Sequence, residues 1–152
     1  MKVTYYYILM TQKSLFSNQV LEEILREKAN YHIINKKKKD FWILTSPKFV
    51  IQNNMLDKLK NTLFYKNNEK NINYLSSIVS TDKNWIRWLE LRIGYFENNK
   101  TDYNTNSEFS SDGITGFFES QNNLMLLENV YNIDPTIISK EYEYIGSILD
   151  PI

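Results

Sequence analysis

The 152-residue chain contains no cysteine. That single absence excludes disulfides, thiolate metal sites, iron–sulfur clusters and cysteine nucleophiles. Histidine occurs once, as His32. A multi-histidine metal site therefore cannot be assembled within the chain, and a Ser–His–Asp triad would have to use that residue. An excess of charge is missing as well: 18 basic residues balance 18 acidic ones, which argues against a protein built mainly to hold nucleic acid. No stretch approaches the about 20 apolar residues that a bilayer-spanning helix needs. The start, Met1-Lys2-Val3-Thr4, enters strand-like sequence without the apolar core of a signal peptide. The expectation is a soluble chain that stays in the compartment where it is made. Glycine and alanine are scarce beside Asn, Lys, Ile and Tyr, the imprint of an AT-rich coding genome rather than of a chemistry.

What is present suffices for a fold. Apolar residues make up 42% of the chain, enough to drive collapse, and the length suits one ordinary domain with a real core. The aromatic share of 14% serves cores and interfaces equally well.

Along the chain, Val3 to Met10 is rich in aromatic and β-branched residues and reads as a strand buried on both faces. Ser17 or Asn18 can cap a helix over Gln19 to Tyr31, with Val20, Leu21, Ile24, Leu25 and Tyr31 as its apolar stripe. Glu22 and Arg26 form an i,i+4 pair on it. A turn carrying Lys36 to Lys39 leads to a second strand, Phe41 to Leu44, which Pro47 ends. Met55 to Tyr65 reads as a helix with Leu56, Leu59, Leu63 and Phe64 inward, and Lys66 to Tyr74 as an exposed loop. A short strand at Ser76 to Ser80 runs through a cap, Thr81 or Asp82, into an amphipathic helix reaching Phe96. From Asn98 to Ser111 the chain is polar and linker-like; beyond it, Leu124 to Tyr131 and Ile137 to Leu149 look like two short helices. The order β-α-β-α-β-α with a tail predicts helices layered on a small sheet, α+β or α/β, with strand direction left open.

At 100° per residue, Trp85, Ile86, Trp88, Leu89, Ile93, Tyr95 and Phe96 fall on one broad half of the last helix, with Arg87, Glu90, Gly94 and Glu97 on the other. Arg92 lies within the apolar half. A cation there needs a carboxylate, a carbonyl, an aromatic face or a partner. Two readings stand: internal pairing, with Asp40 as the attractive acid, or projection beside Trp85, Trp88 and Tyr95 toward another protein or an anionic ligand. Asp40-Phe41-Trp42 likewise has two readings. It is either an exposed acid with an apolar anchor and a basic rim, or a turn acid followed by two residues entering the core on opposite faces.

The remaining constellations are bland. The lysine run is a solvated turn or a patch attracted to an acidic partner or membrane surface. Tyr5 and Tyr7 alternate against Tyr6, so the three cannot form one stacking platform. His32 follows a helix end with no acid–base partner near in sequence and reads as a surface or cap residue. Glu22, Glu23 and Glu27 share a polar helix face without a paired-carboxylate site. The chain lacks the Glu-x-x-His motifs of a di-iron bundle, and Gly113 to Gly116 is too short for a phosphate loop. Nothing reads as an active site or a metal or cofactor site.

Four ordered blocks carry a resemblance: YYYILMTQKSL at Tyr5 to Leu15, LEEILREK at Leu21 to Lys28, KKDFWIL at Lys38 to Leu44, and IVSTDKNWIRWLELRIGY at Ile78 to Tyr95. Together they resemble the small plastid and cyanobacterial accessory protein of the aerobic magnesium-protoporphyrin IX monomethyl ester cyclase, the hypothetical chloroplast reading frame family. The likeness covers residues 3 to 97. It implies an α+β fold with a small, mainly antiparallel sheet flanked by helices over 1–97. Residues 98–152 are then a polar linker and short helical extension without counterpart. It implies a non-catalytic factor in chlorophyll biosynthesis that supports the di-iron catalytic subunit by protein–protein contact, without a cofactor of its own and without nucleic acid. Its place would be the plastid stroma or the periphery of the photosynthetic membrane, or the cytoplasm of a cyanobacterium. The family's interaction-critical acid–aromatic pair falls on Asp40 and Phe41 and its critical arginine on Arg92, with Trp85 and Trp88 beside them. The alternative is a tetrapyrrole carrier, which requires a large apolar groove beside Arg92. Gly94 occupies a helix position where a better helix former is expected.

Overall fold

Nine consecutive residues, seven of them β-branched or aromatic, form the central strand β1 (Val3–Thr11) of a computed structural model that describes residues 3–16, 18–38, 40–45, 50, 59–67, 74–94, 96–98 and 113–120. The chain continues as α1 (Gln12–Phe16), α2 (Gln19–Ile34), β2 (Phe41–Thr45), α3 (Leu63–Asn67), β3 (Leu75–Ser80), α4 (Lys83–Ile93), β4 (Phe96–Asn98) and β5 (Gly113–Ser120). The five strands form one sheet in the order β2-β3-β1-β5-β4. All pairings are antiparallel except β4 with β5, which is parallel. The architecture is the α+β sheet with flanking helices that the resemblance implies.

Period-2 alternation sorts the strand residues onto two faces. Ile8, Met10, Phe41, Ile43 and Ile78 face α1, α2 and α4, meeting Leu15, Phe16, Leu21, Leu25, Ile86 and Leu89. Tyr5, Tyr7, Leu9, Trp42, Leu44 and Val79 face the other way, against Val50, Leu59 and Phe64. Both faces are therefore packed, which is why β1, β2 and β3 read as continuous apolar runs. Tyr5 and Tyr7 are fully buried on one side of β1 while Tyr6 lies on the other, as alternation requires.

Local chemistry fixes the helix ends. Asn18 Oδ1 accepts from Leu21 N at 3.0 Å and Asp82 Oδ1 from Trp85 N at 3.1 Å, each cap contributing about 1 kcal/mol. The C-terminus of α2 closes with two tight bonds, Lys36 N to Ile33 O (3.2 Å) and Lys37 N to His32 O (2.9 Å). This is a Schellman-type stop whose left-handed position is usually glycine. Here it is Lys36, at φ 52°. Gly116 in β5 has a steric reason: a Cβ there would come within 2.5 Å of the hydroxyl oxygen of Tyr7, whose ring is buried.

Several expectations are corrected. Helix α2 runs one turn past Tyr31, and α1 was not anticipated. The helix expected over Met55–Tyr65 is, among the described residues, broken by a turn at 60–62; Thr62 Oγ1 accepts from Tyr65 N and starts α3 instead. Helix α4 stops at Ile93 with Gly94 as its C-cap, so that glycine is not a weak interior residue. Strand β5 falls in the 98–152 region expected as linker and helices, and it pairs with β1 from Val3↔Ser120 to Leu9↔Ile114. Residue 97 thus does not bound the sheet. A buried central strand with unpaired edge groups needs a neighbour, and the short run ITGFF supplies it. The helices expected at 124–131 and 137–149 lie outside the described residues.

Candidate functional site, a contact surface along helix α4

Asp40 sits immediately before β2, and its backbone places it. Its carbonyl oxygen accepts from Ser80 Oγ (2.8 Å) and from Thr81 N (3.2 Å). The residue is thereby held where β3 ends and α4 is about to begin. Ser80 Oγ accepts in turn from Asp82 N at 3.0 Å, linking this junction to the cap of α4.

The carboxylate of Asp40 meets helix α2. Oδ1 lies 3.1 Å from His32 Nε2 and 3.5 Å from Lys28 Nζ. The histidine contact is close but lacks hydrogen-bond alignment. Lys28 Nζ also stands 4.4 Å from the Trp85 ring centroid and 5.9 Å from that of Phe41. The Phe41 ring is 5.6 Å from Trp85 and 6.1 Å from His32. A lysine with most of its side chain covered thus joins an acid and two aromatic rings, one each from β2 and α4. Cation–π attraction strengthens as the site loses water.

These positions correct two expectations and add one residue. Phe41 is 1% exposed: it is a core residue supporting the corner from beneath, not an exposed anchor. It and Trp42 enter opposite faces of the sheet, as the second reading of that tripeptide has it. His32 is 8% exposed and lies beside Asp40, so it is not a surface histidine. Lys28 was missed altogether. The available signal was its i,i+4 spacing from His32, which puts both on one face of α2.

Arg92 is exposed, in the last turn of α4. Internal pairing with Asp40 does not occur. Asp40 is held at the N-terminus of α4, and Arg92 lies ten residues past Asp82, about 15 Å along the axis. Lys28 and His32 occupy the carboxylate instead. The apolar half of α4 is also narrower in fact than in pattern: Ile86 and Leu89 are buried, whereas Trp88 is 48% and Leu91 86% exposed. Trp85, Trp88 and Arg92 recur at i, i+3 and i+7 and so share one flank. That flank begins at the Asp40 corner with the half-buried Trp85 and ends on an exposed cation. Among the described residues no ion pair reaches Arg92.

The opposite flank of α4 borders a groove of about 360 Å³, lined by Tyr6, Ile86, Arg87, Glu90, Thr115 and Phe117 among others. Burial raises the Glu90 carboxyl above its ordinary range, with Arg87 opposing. Arg92 is not among the lining residues, so this groove is not the one the carrier alternative places beside Arg92. Nor do the described residues include three or more His, Asp or Glu grouped to hold a metal ion, or a helix long and apolar enough to cross a membrane.

The Ycf54 protein family matches residues 3–102. An uncharacterized ycf54 protein of Porphyra purpurea is 41% identical over 92 residues, 60% of this chain and 77% of its own length. One of Cyanidium caldarium is 38% identical over 98 residues, 64% of this chain and 87% of its own. The relatives come from plastid genomes and from cyanobacteria. The solved structure of the Ycf54 protein from Synechocystis sp. PCC 6803 superposes with a TM-score of 0.55 at 27% identity, over 80% of this chain and 90% of that one. With two thirds of its length matched and the same fold, this chain belongs to the Ycf54 protein family.

Proposed function

We propose that this chain is a non-catalytic accessory factor of the magnesium-protoporphyrin IX monomethyl ester cyclase in chlorophyll biosynthesis, acting by contact with the di-iron catalytic subunit. Membership of the Ycf54 family supports the reading, as does the origin of its relatives in plastid genomes and cyanobacteria. The observation that carries it is the flank of α4. Trp88 and Arg92 stand out from a rigid helix that is capped by Asp82 and anchored through Ile86 and Leu89. Tryptophan and arginine are the side chains most enriched where binding energy concentrates. A helix held by a sheet presents them with little ordering cost.

In this reading Asp40, Trp85, Trp88 and Arg92 meet the partner, while Phe41 holds Trp85 and Lys28 in place from the core. The test is an affinity pull-down from photosynthetic membranes with tagged wild type and Arg92→Ala. Recovery of the di-iron subunit by wild type and its loss with the variant supports the reading. Failure of the folded wild type to recover it contradicts the reading.

A further inference from the structure

We propose that the tip of the protein at the C-terminus of α2 is an insertion site for an anionic lipid surface. Ile33 and Ile34 are 74% and 78% exposed. Within four residues of them come Lys36, Lys37 and Lys38, all exposed. Two bare branched side chains at a helix end are unusual for a solvated turn, where polar residues are free to take their place. Here they are two exposed apolar side chains followed directly by three exposed cations. That order of apolar and cationic side chains matches a bilayer surface: apolar tips enter the acyl boundary while lysine stems lie along it and keep their ammonium groups among anionic headgroups. A protein partner would instead have to offer an apolar pocket with an acidic rim.

A second, independent observation concerns Lys36. Its backbone is left-handed, at φ 52°, where glycine is the stereochemically preferred residue. A charge held at a position that disfavours its own backbone marks a local rule broken, as happens at functional sites. The tip is also tied together by hydrogen bonds. Lys36 N and Lys37 N close the turn, Asn35 Nδ2 donates to Tyr31 O at 2.9 Å, and Lys37 Nζ donates to the Tyr31 hydroxyl at 2.9 Å. The nearest acid in sequence, Asp40, has its carboxylate against Lys28 and His32 and adds only the least of the attractions acting on Lys37. The tip lies beside the N-terminus of α4, at the other end of that helix from Arg92, and a membrane contact there leaves the α4 flank open. The proposal does not depend on the accessory-factor reading.

The test uses the whole chain and protein-free vesicles, so its outcome is separate from any contact with the cyclase. Sedimentation with phosphatidylcholine vesicles, with and without phosphatidylglycerol, measures the charge contribution. Wild type binds the anionic vesicles preferentially. The variant Lys36→Gln/Lys37→Gln/Lys38→Gln loses about 100-fold, at about fivefold per lysine. Because the chain has no cysteine, Ile34→Cys carries an environment-sensitive fluorophore at one site. Its emission shifts to the blue on anionic vesicles, whereas the same label at Glu23→Cys, on the exposed face of α2, does not shift. Equal binding to neutral vesicles, undiminished binding of the triple variant, or a label at 34 that stays in water overturns the proposal.

Discussion

Lys28 Nζ stands 4.4 Å from the centre of the Trp85 ring and 3.5 Å from Asp40 Oδ1, so one ammonium group fastens helix α2 to helix α4 and to the entry of β2. Removing it as Lys28→Met leaves the partly covered Asp40 without its cation and Trp85 without the charge over its face. The loss of stability is about 1–2 kcal/mol, read as a lowered urea midpoint with unchanged slope. Lys28→Arg keeps the charge and recovers most of the loss.

Lys36 gives a change in the opposite direction. With φ at 52°, Lys36→Gly relieves a left-handed strain that costs an L-residue about 1–2 kcal/mol, partly offset by the greater freedom of glycine in the unfolded chain. The variant melts higher than wild type by an amount equivalent to about 1 kcal/mol. A lower melting temperature would show that the lysine side chain contributes more than its backbone costs.

Gly116→Ala tests the packing of β5 on β1. The new methyl would overlap the Tyr7 hydroxyl region, and Tyr7 is fully buried, so the ring cannot swing into solvent. Overpacking of this kind costs about 1–3 kcal/mol. Since β5 pairs β1 along most of its length, increased amide exchange in both strands accompanies the loss. Gly116→Ala with exchange unchanged in β1 would contradict the pairing.

Glu90 carries a pH signature. Burial raises its carboxyl above the ordinary 4.5, with Arg87 opposing. A raised acid holds its proton more tightly folded than unfolded, so its favourable contribution is complete below the ordinary carboxylate value and is lost as pH rises through the folded one. At neutral pH the ionised side chain is therefore a burden that Glu90→Gln removes. The variant melts above wild type at pH 7, and the gap narrows toward pH 4. A gap that widens in acid would reverse the sign.

Much of the fold was legible because β1, β2, β3 and α4 each carry a strong local pattern: an apolar run, or a cap followed by period-3.6 spacing. Strand β5 was not, since Gly113 to Ser120 mixes glycine, threonine and glutamate and becomes a strand through pairing with β1 rather than through propensity. At the site, periodicity placed Trp85, Trp88 and Arg92 on one side of a helix but could not say how wide the buried stripe would be. Internal pairing and outward projection of Arg92 both stayed open because the apolar half of α4 is broad in sequence, yet the sheet covers only the line through Ile86 and Leu89. Lys28 and His32 escaped notice because their partner Asp40 arrives only when β2 docks beside β3. Long-range contacts of this kind leave no spacing to read.

The decisive observation concerns the flank of α4, through the affinity of the purified chain for the purified di-iron cyclase subunit with wild type and Arg92→Ala compared side by side. Arg92 is exposed and makes no ion pair among the described residues, so the substitution leaves stability within about 0.5 kcal/mol of wild type. If the flank is the contact, affinity falls about tenfold or more while the melting temperature holds. Equal affinity of the two proteins, or no binding by a folded wild type, would contradict the contact reading.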